Sequence, residues 1–128
     1  MTHKQAAFQT ATGTIIRNLE QRGMEGYFFE DRASCVDAIL ASIPENSTIS
    51  WGGSESIKES GLMDRIRNGN YRLIDRFSAS TPEESRKLYA QAVLSDYYLM
   101  SSNAVTLTGE LVNIDGTGNR VACLIHGP

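Results

Sequence analysis

Between residues 103 and 120 the chain reads NAVTLTGELVNIDGTGNR. This places Asn103, Thr106, Thr108, Asn113, Asp115, Asn119 and Arg120 around a short apolar run and two glycine turns. Carboxylate, amide and guanidinium groups gathered at strand ends can hold a polar ligand, and Asp115 can serve as an acid or base. Asp115-Gly116 and Gly118-Asn119 are also common hairpin chemistry, and spacing alone leans to that plainer reading of the turn. Asn103 lies outside the turn, directly after an expected buried strand, so a hairpin does not account for it.

A second constellation is Ser50-Trp51-Gly52-Gly53-Ser54-Glu55-Ser56. A strand running into two glycines lets the backbone approach a ligand closely. The helix expected to follow would aim unpaired amides at a phosphate or carboxylate, with Ser54 and Ser56 as further donors. An ordinary strand-to-helix turn with a serine cap explains the spacing equally well. The pattern is neither a Walker loop nor GxGxxG, so it names no ligand. Glu110 reads as a solvated turn residue. Cys35 and Cys123 are far apart on apolar segments and read as buried thiols, with no metal-ligand spacing. His3 and His126 sit near opposite termini.

Alternating helices and strands must position these groups. Apolar spacing predicts a helix over 3–22, stopped by Gly23, and a short aromatic strand over 26–30. Asp31 caps a helix that Pro44 ends. A strand over 47–51 leads into a helix starting at Ser54 or Ser56, where Ser56 and Glu59 have capping-box spacing. Gly61 should kink or break that helix. A strand follows over 71–77. Thr81, Pro82 and Glu84 then mark a helix start. Further strands are expected over 96–101, 111–114 and 121–125. Three strand–helix units imply a parallel sheet covered by helices, and the closely spaced last strands should make it mixed. Ligands in such sheets bind beyond the strands' carboxyl ends, here 52–54, 77–80 and 101–103.

The bounds agree with a soluble α/β protein. A chain of 128 residues with 41% hydrophobic content can bury a core as one domain. A net charge of −3 argues against a nucleic-acid binder. No apolar run approaches a membrane span, and no leader-like segment opens the chain, so the cytoplasm is the default location.

With SWGGSESIKESGLMDRI and STPEESRKLYAQAVLSDYYLMS upstream, NAVTLTGELVNIDGTGNRVA resembles the lactate-utilisation (LUD) domain family, nearest its YkgG-like, lactate-utilisation-protein-C-related group. The resemblance runs from about Gln5 onward. It implies a three-layer Rossmann-like fold with a mixed, mainly parallel sheet, similar to the glucosamine-6-phosphate deaminase, ribose-5-phosphate isomerase and CoA-transferase superfamily. It also implies a ligand site at Gly52, Gly53, Ser54, Asn103, Asn113, Asp115, Gly116 and Asn119. Family members continue past the position of Pro128, sometimes with a cysteine-rich tail. Residues 1–128 are therefore expected to be the N-terminal portion of one LUD domain. An accessory role in lactate oxidation follows, with iron–sulfur in a longer chain or a partner, and assembly as an oligomer or with partner subunits. An isomerase- or CoA-transferase-type enzyme and a non-catalytic binding module for a phosphate- or carboxylate-bearing ligand are the alternatives.

Overall fold

Strand β1 (Thr48–Trp51) is almost wholly buried, which marks it as the centre of a sheet covered on both faces. In the computed structural model, which describes residues 1–128, it pairs in parallel with β2 (Arg72–Ile74) and β3 (Tyr97–Leu99), in the order β2-β1-β3. Ile49 lies opposite Leu73 on one side and Tyr97 on the other. The Asp96 carboxylate accepts from the Thr48 N–H and hydroxyl, both at 2.8 Å, and ties the start of β3 to β1.

Helices flank this sheet in a Rossmann-like three-layer arrangement: α2 (Arg32–Ser42), α3 (Glu55–Glu59), α4 (Leu62–Arg67), α5 (Pro82–Val93) and α6 (Asn119–His126). Val36, Ile43, Ile49, Ile57, Leu62 and Ile66 form the core, with Ile49 and Ile66 fully buried. Asp31 accepts from the Ser34 N–H at 2.8 Å and starts α2. Thr81 accepts from the Glu84 N–H at 3.2 Å and starts α5 behind Pro82. The Glu84 carboxylate closes on the Ser80 N–H and hydroxyl. No helix is long and apolar enough to cross a membrane.

By its internal contacts the chain forms two compact units, residues 1–35 with 102–114 and residues 36–101 with 115–128. The first carries α1 (His3–Glu20), opened by a Thr2–Gln5 capping box, and an antiparallel pair, β4 (Ala104–Val105) and β5 (Leu111–Val112). Asn18 donates to the Leu107 carbonyl at 2.8 Å, and Arg22 donates to the Thr108 carbonyl. Gly109 has φ +80°, and a Cβ there would stand 2.8 Å from Asn18 Cβ, so the turn requires glycine.

Three local expectations are corrected. Residues 26–30 form no strand: aromatic β propensity makes a strand only where a partner edge is available, and none pairs here. Residues 121–125 lie in α6, not a strand. A short apolar run does not by itself distinguish the two, and here Gly118 at φ 80° and the Asp115 carboxylate start a helix. The strand expected over 71–77 ends at Ile74, where Asp75 caps a 3-10 turn, Arg76–Ser78. Of the two serines expected at the start of α3, Ser54 is the cap, and Gly61 at φ 82° separates α3 from α4, the break expected there. The antiparallel pair stands as its own sheet and does not extend the parallel one.

Candidate functional site

All three parallel strands of the second unit deliver polar groups at their carboxyl ends, where α/β sheets bind ligands. β1 runs into Gly52, Gly53 and Ser54. β2 runs into Asp75 and Arg76. β3 carries Tyr98 and leads to Ser101. The Gly52 N–H donates to the Leu99 carbonyl at 3.0 Å, which holds the glycine turn against the end of β3. A Cβ on Gly52 would stand 3.1 Å from the Tyr98 hydroxyl and 3.9 Å from Arg120 Cβ. One on Gly53 would stand 3.9 Å from an Arg76 Nη and 4.0 Å from the Phe77 ring. The two glycines thus let a phenol and two arginine side chains approach the turn closely.

Hydrogen bonds and ring contacts hold the side chains around this turn in place. Arg120 donates to the Ser101 carbonyl at 2.9 Å. Ser54 Oγ accepts from the Ile57 N–H at 3.2 Å and from Ser101 Oγ at 2.9 Å, so its own proton remains to be donated. Arg76 lies 4.3 Å from the Phe77 ring centre and 5.8 Å from that of Tyr89, and it bonds the Tyr89 hydroxyl. No carboxylate pairs with it. Arg76 Nε and Tyr98 Oη are both buried and have no hydrogen-bond partner. Such buried orphans are rare in folded proteins, and each needs an explanation.

The electrostatics fit the geometry. Burial, with the nearby Cys123 and Asp115, pushes the Tyr98 phenol up to about 12, against the pull of Arg76 and Arg120. Tyr98 is therefore a neutral donor at physiological pH. A bond from Ser85, then one from Arg76, lowers the Tyr89 phenol. Burial raises the Cys123 thiol, which makes it a poor nucleophile.

The residues singled out in the sequence divide between the units. Gly52, Gly53 and Ser54 form the turn just described. Asp115, Gly116 and Asn119 build the entry to α6: Asp115 accepts from the Val121 N–H at 3.0 Å, and Asn119 meets Thr117 Oγ1 at 2.5 Å. The Val121 N–H first, then those of Gly118 and Thr117, hold the Asp115 carboxyl below the usual range. It stands in for the side chain that Gly118 lacks as a cap, and its low basicity suits anchoring more than proton transfer. Asn103 and Asn113 belong to the first unit. Asn103 Oδ1 accepts from the Ile114 N–H at 2.9 Å, and the buried Asn113 Oδ1 has no partner. Thr106, Thr108 and Glu110 bond one another across the β4–β5 turn.

Arg76 and Tyr98 were missed in the sequence. Arg76 is the first cation after β2, one residue short of the 77–80 segment that the strand-end rule marks. Tyr98 read as core. The helix-terminus argument for the 52–54 turn also weakens. α3 has five residues, its Ile57 amide is taken by Ser54, and Glu55 already supplies negative charge.

Asp31, Glu84, Asp96 and Asp115 all have carboxyls held below their ordinary values by backbone N–H groups. Their ionised forms favour the folded chain. That contribution is complete above the unfolded carboxylate values of about 4 and is lost as pH falls through the lower folded ones. Melting temperature should therefore drop steeply below about pH 4. Asp96→Asn should lower it at pH 7 and flatten the acid slope. An unchanged slope would show that the Thr48–Asp96 link contributes nothing.

A family model described as LUD domain matches residues 13–128. No curated protein and no solved structure matches. That match spans nearly the whole chain, including the strand-end site and the 103–120 stretch. The chain belongs to the lactate-utilisation (LUD) domain family.

Proposed function

We propose that this protein serves lactate utilisation as an accessory, electron-transfer-associated subunit that binds a small carboxylate- or phosphate-bearing molecule at the carboxyl ends of β1, β2 and β3. Family membership supports the metabolic setting. The observation that carries the binding role is the pair of buried, unpartnered polar atoms, Arg76 Nε and Tyr98 Oη, beside a side-chain-free glycine turn. An anion there would take charge-assisted bonds from Arg76 and neutral ones from Tyr98 and Ser54.

The residues present do not fit an iron–sulfur cluster. Cys35 and Cys123 lie in different units, and no three His, Cys, Asp or Glu side chains converge. Cluster chemistry would belong to a longer chain or to a partner subunit. No nucleophile–base pair stands at the strand ends, which favours holding a ligand over turning it over.

Tyr98→Phe tests this reading with a change of sign. Removing a buried hydroxyl that has no partner should leave the free protein as stable or raise its stability by about 1 kcal/mol. The same variant should bind lactate, pyruvate or inorganic phosphate several-fold more weakly in calorimetry. Equal binding by both proteins would mean that the phenol does not face the ligand.

A further inference from the structure

The strand-end site does not stop at the glycine turn. Gly53 also lines an open groove of about 450 Å³ that runs along Trp51, Ile57, Met63, Arg67 and Phe77. Even at about 30 Å³ per heavy atom, the share of one liquid water, a three-carbon acid would fill less than half of it. Such a volume lies in the range of sites for larger organic ligands.

The walls of the groove are specific. Phe77 is 59% exposed, an unusual position for a phenyl ring in a concavity, and Arg76 stacks on it. Arg67 lies 5.3 Å from the Trp51 ring centre and is fixed by an ion pair to Asp75 at 3.2 Å. Ile57 and Met63 give the groove an apolar floor, Phe77 is its one exposed aromatic ring, Trp51 reaches it while only 5% exposed, and Glu55, Lys58 and Asp64 also line it. Flat ring systems suit stacking against such aromatic and guanidinium side chains. Gly53 and Ser54 line the groove, and a Cβ on Gly53 would stand 3.9 Å from an Arg76 Nη and 4.0 Å from the Phe77 ring, so the Arg76 guanidinium borders the end of the groove nearest the glycine turn.

We propose that the ligand of this site is nucleotide-like: an anionic group held by Arg76, Tyr98 and Ser54, joined to a planar ring lying along Phe77 and the Trp51 wall. The inference rests on the anion-binding reading above and adds the ring.

Calorimetry with four probes tests it: inorganic phosphate, lactate, adenosine and adenosine monophosphate. Trp51, the chain's one tryptophan, reports occupancy of the groove independently by its fluorescence. The expected result is adenosine monophosphate binding at least ten-fold more tightly than phosphate or lactate. Phe77→Ala should cut that advantage, taken as the ratio to phosphate on the same variant so that any change at the stacked Arg76 cancels, to under three-fold. If phosphate or lactate binds through Arg76 and the nucleotide is no tighter, the ring subsite is refuted and the anion site stands. Adenosine binding as tightly as the nucleotide, and indifferent to Arg76→Gln, would refute the joined ligand. If no probe binds, the anion-binding reading fails and the ring subsite with it.

Discussion

Arg76→Gln should weaken binding of a carboxylate or phosphate by roughly 10- to 150-fold, the equivalent of one charge-assisted hydrogen bond of about 1.5–3 kcal/mol. The fold should survive the change. Arg76 has no carboxylate partner, and its buried Nε bonds nothing, so the substitution breaks no ion pair. What is lost is stacking on Phe77 and the reach to Tyr89, and a cation–π contact at such a site is worth about 0.5–1 kcal/mol. Calorimetry and a thermal melt on the same sample separate the two effects. Arg86→Gln, on the exposed face of α5, is the charge-matched control. If both variants bind equally weakly, a diffuse positive field attracts the anion and Arg76 is no specific ligand.

This test discriminates because of how the side chain is placed. β2 ends at Ile74, and Asp75 caps the following turn by accepting from the Phe77 N–H at 3.0 Å. Asp75 also pairs with Arg67. The acid nearest Arg76 in sequence is thus engaged elsewhere, and the Arg76 guanidinium keeps its charge uncompensated. Glutamine is shorter and keeps only part of the donor set, so Arg76→Lys, which keeps the charge without the guanidinium fork, is the companion variant that separates charge from hydrogen-bond geometry.

The parallel sheet, its covering helices and the glycine turn at 52–54 could be read in the sequence because each carries a strong local signal. β1 is a buried run stopped by glycines, and α5 opens with Thr81-Pro82. The region after Leu111 was less legible. A five-residue apolar run fits a strand or one and a half helical turns, and only the fold reveals that Asp115, six residues earlier, supplies the cap. The glycine turn was marked as a site, but the basis shifted. Ser54 and Glu55 satisfy the short helix behind it, while Arg76 and Tyr98, brought from β2 and β3, supply the open bonding capacity. Neither residue has neighbours in sequence that announce a role. They matter because parallel pairing sets the ends of three distant strands side by side. The polar density at 103–114 proved largely internal, with Thr106, Thr108 and Glu110 bonding one another and Asn103 bonding the Ile114 amide.

Since strand alignment makes the site, the largest loss of stability should follow from damage to the central strand. Ile49 is fully buried, sits mid-way along β1 and packs with Val36, Ile43, Ile57, Leu62 and Ile66. Ile49→Ala removes methyl groups that nothing can replace, because β2 and β3 hold the backbone on both sides. Such truncations cost about 2–5 kcal/mol, a large share of the roughly 5–15 kcal/mol that holds a typical domain folded. Ile49→Val keeps most of the volume and should cost about 0.5–1.5 kcal/mol. Leu94→Ala, at a side chain 83% exposed, should cost almost nothing. Urea denaturation of the three variants should give midpoints in that order with similar slopes. If Ile49→Ala and Leu94→Ala fall together, β1 is not the centre of the core. The strand-end site would then lose its support, because Gly52, Gly53 and Ser54 meet Tyr98 and Arg76 only through the pairing that Ile49 anchors.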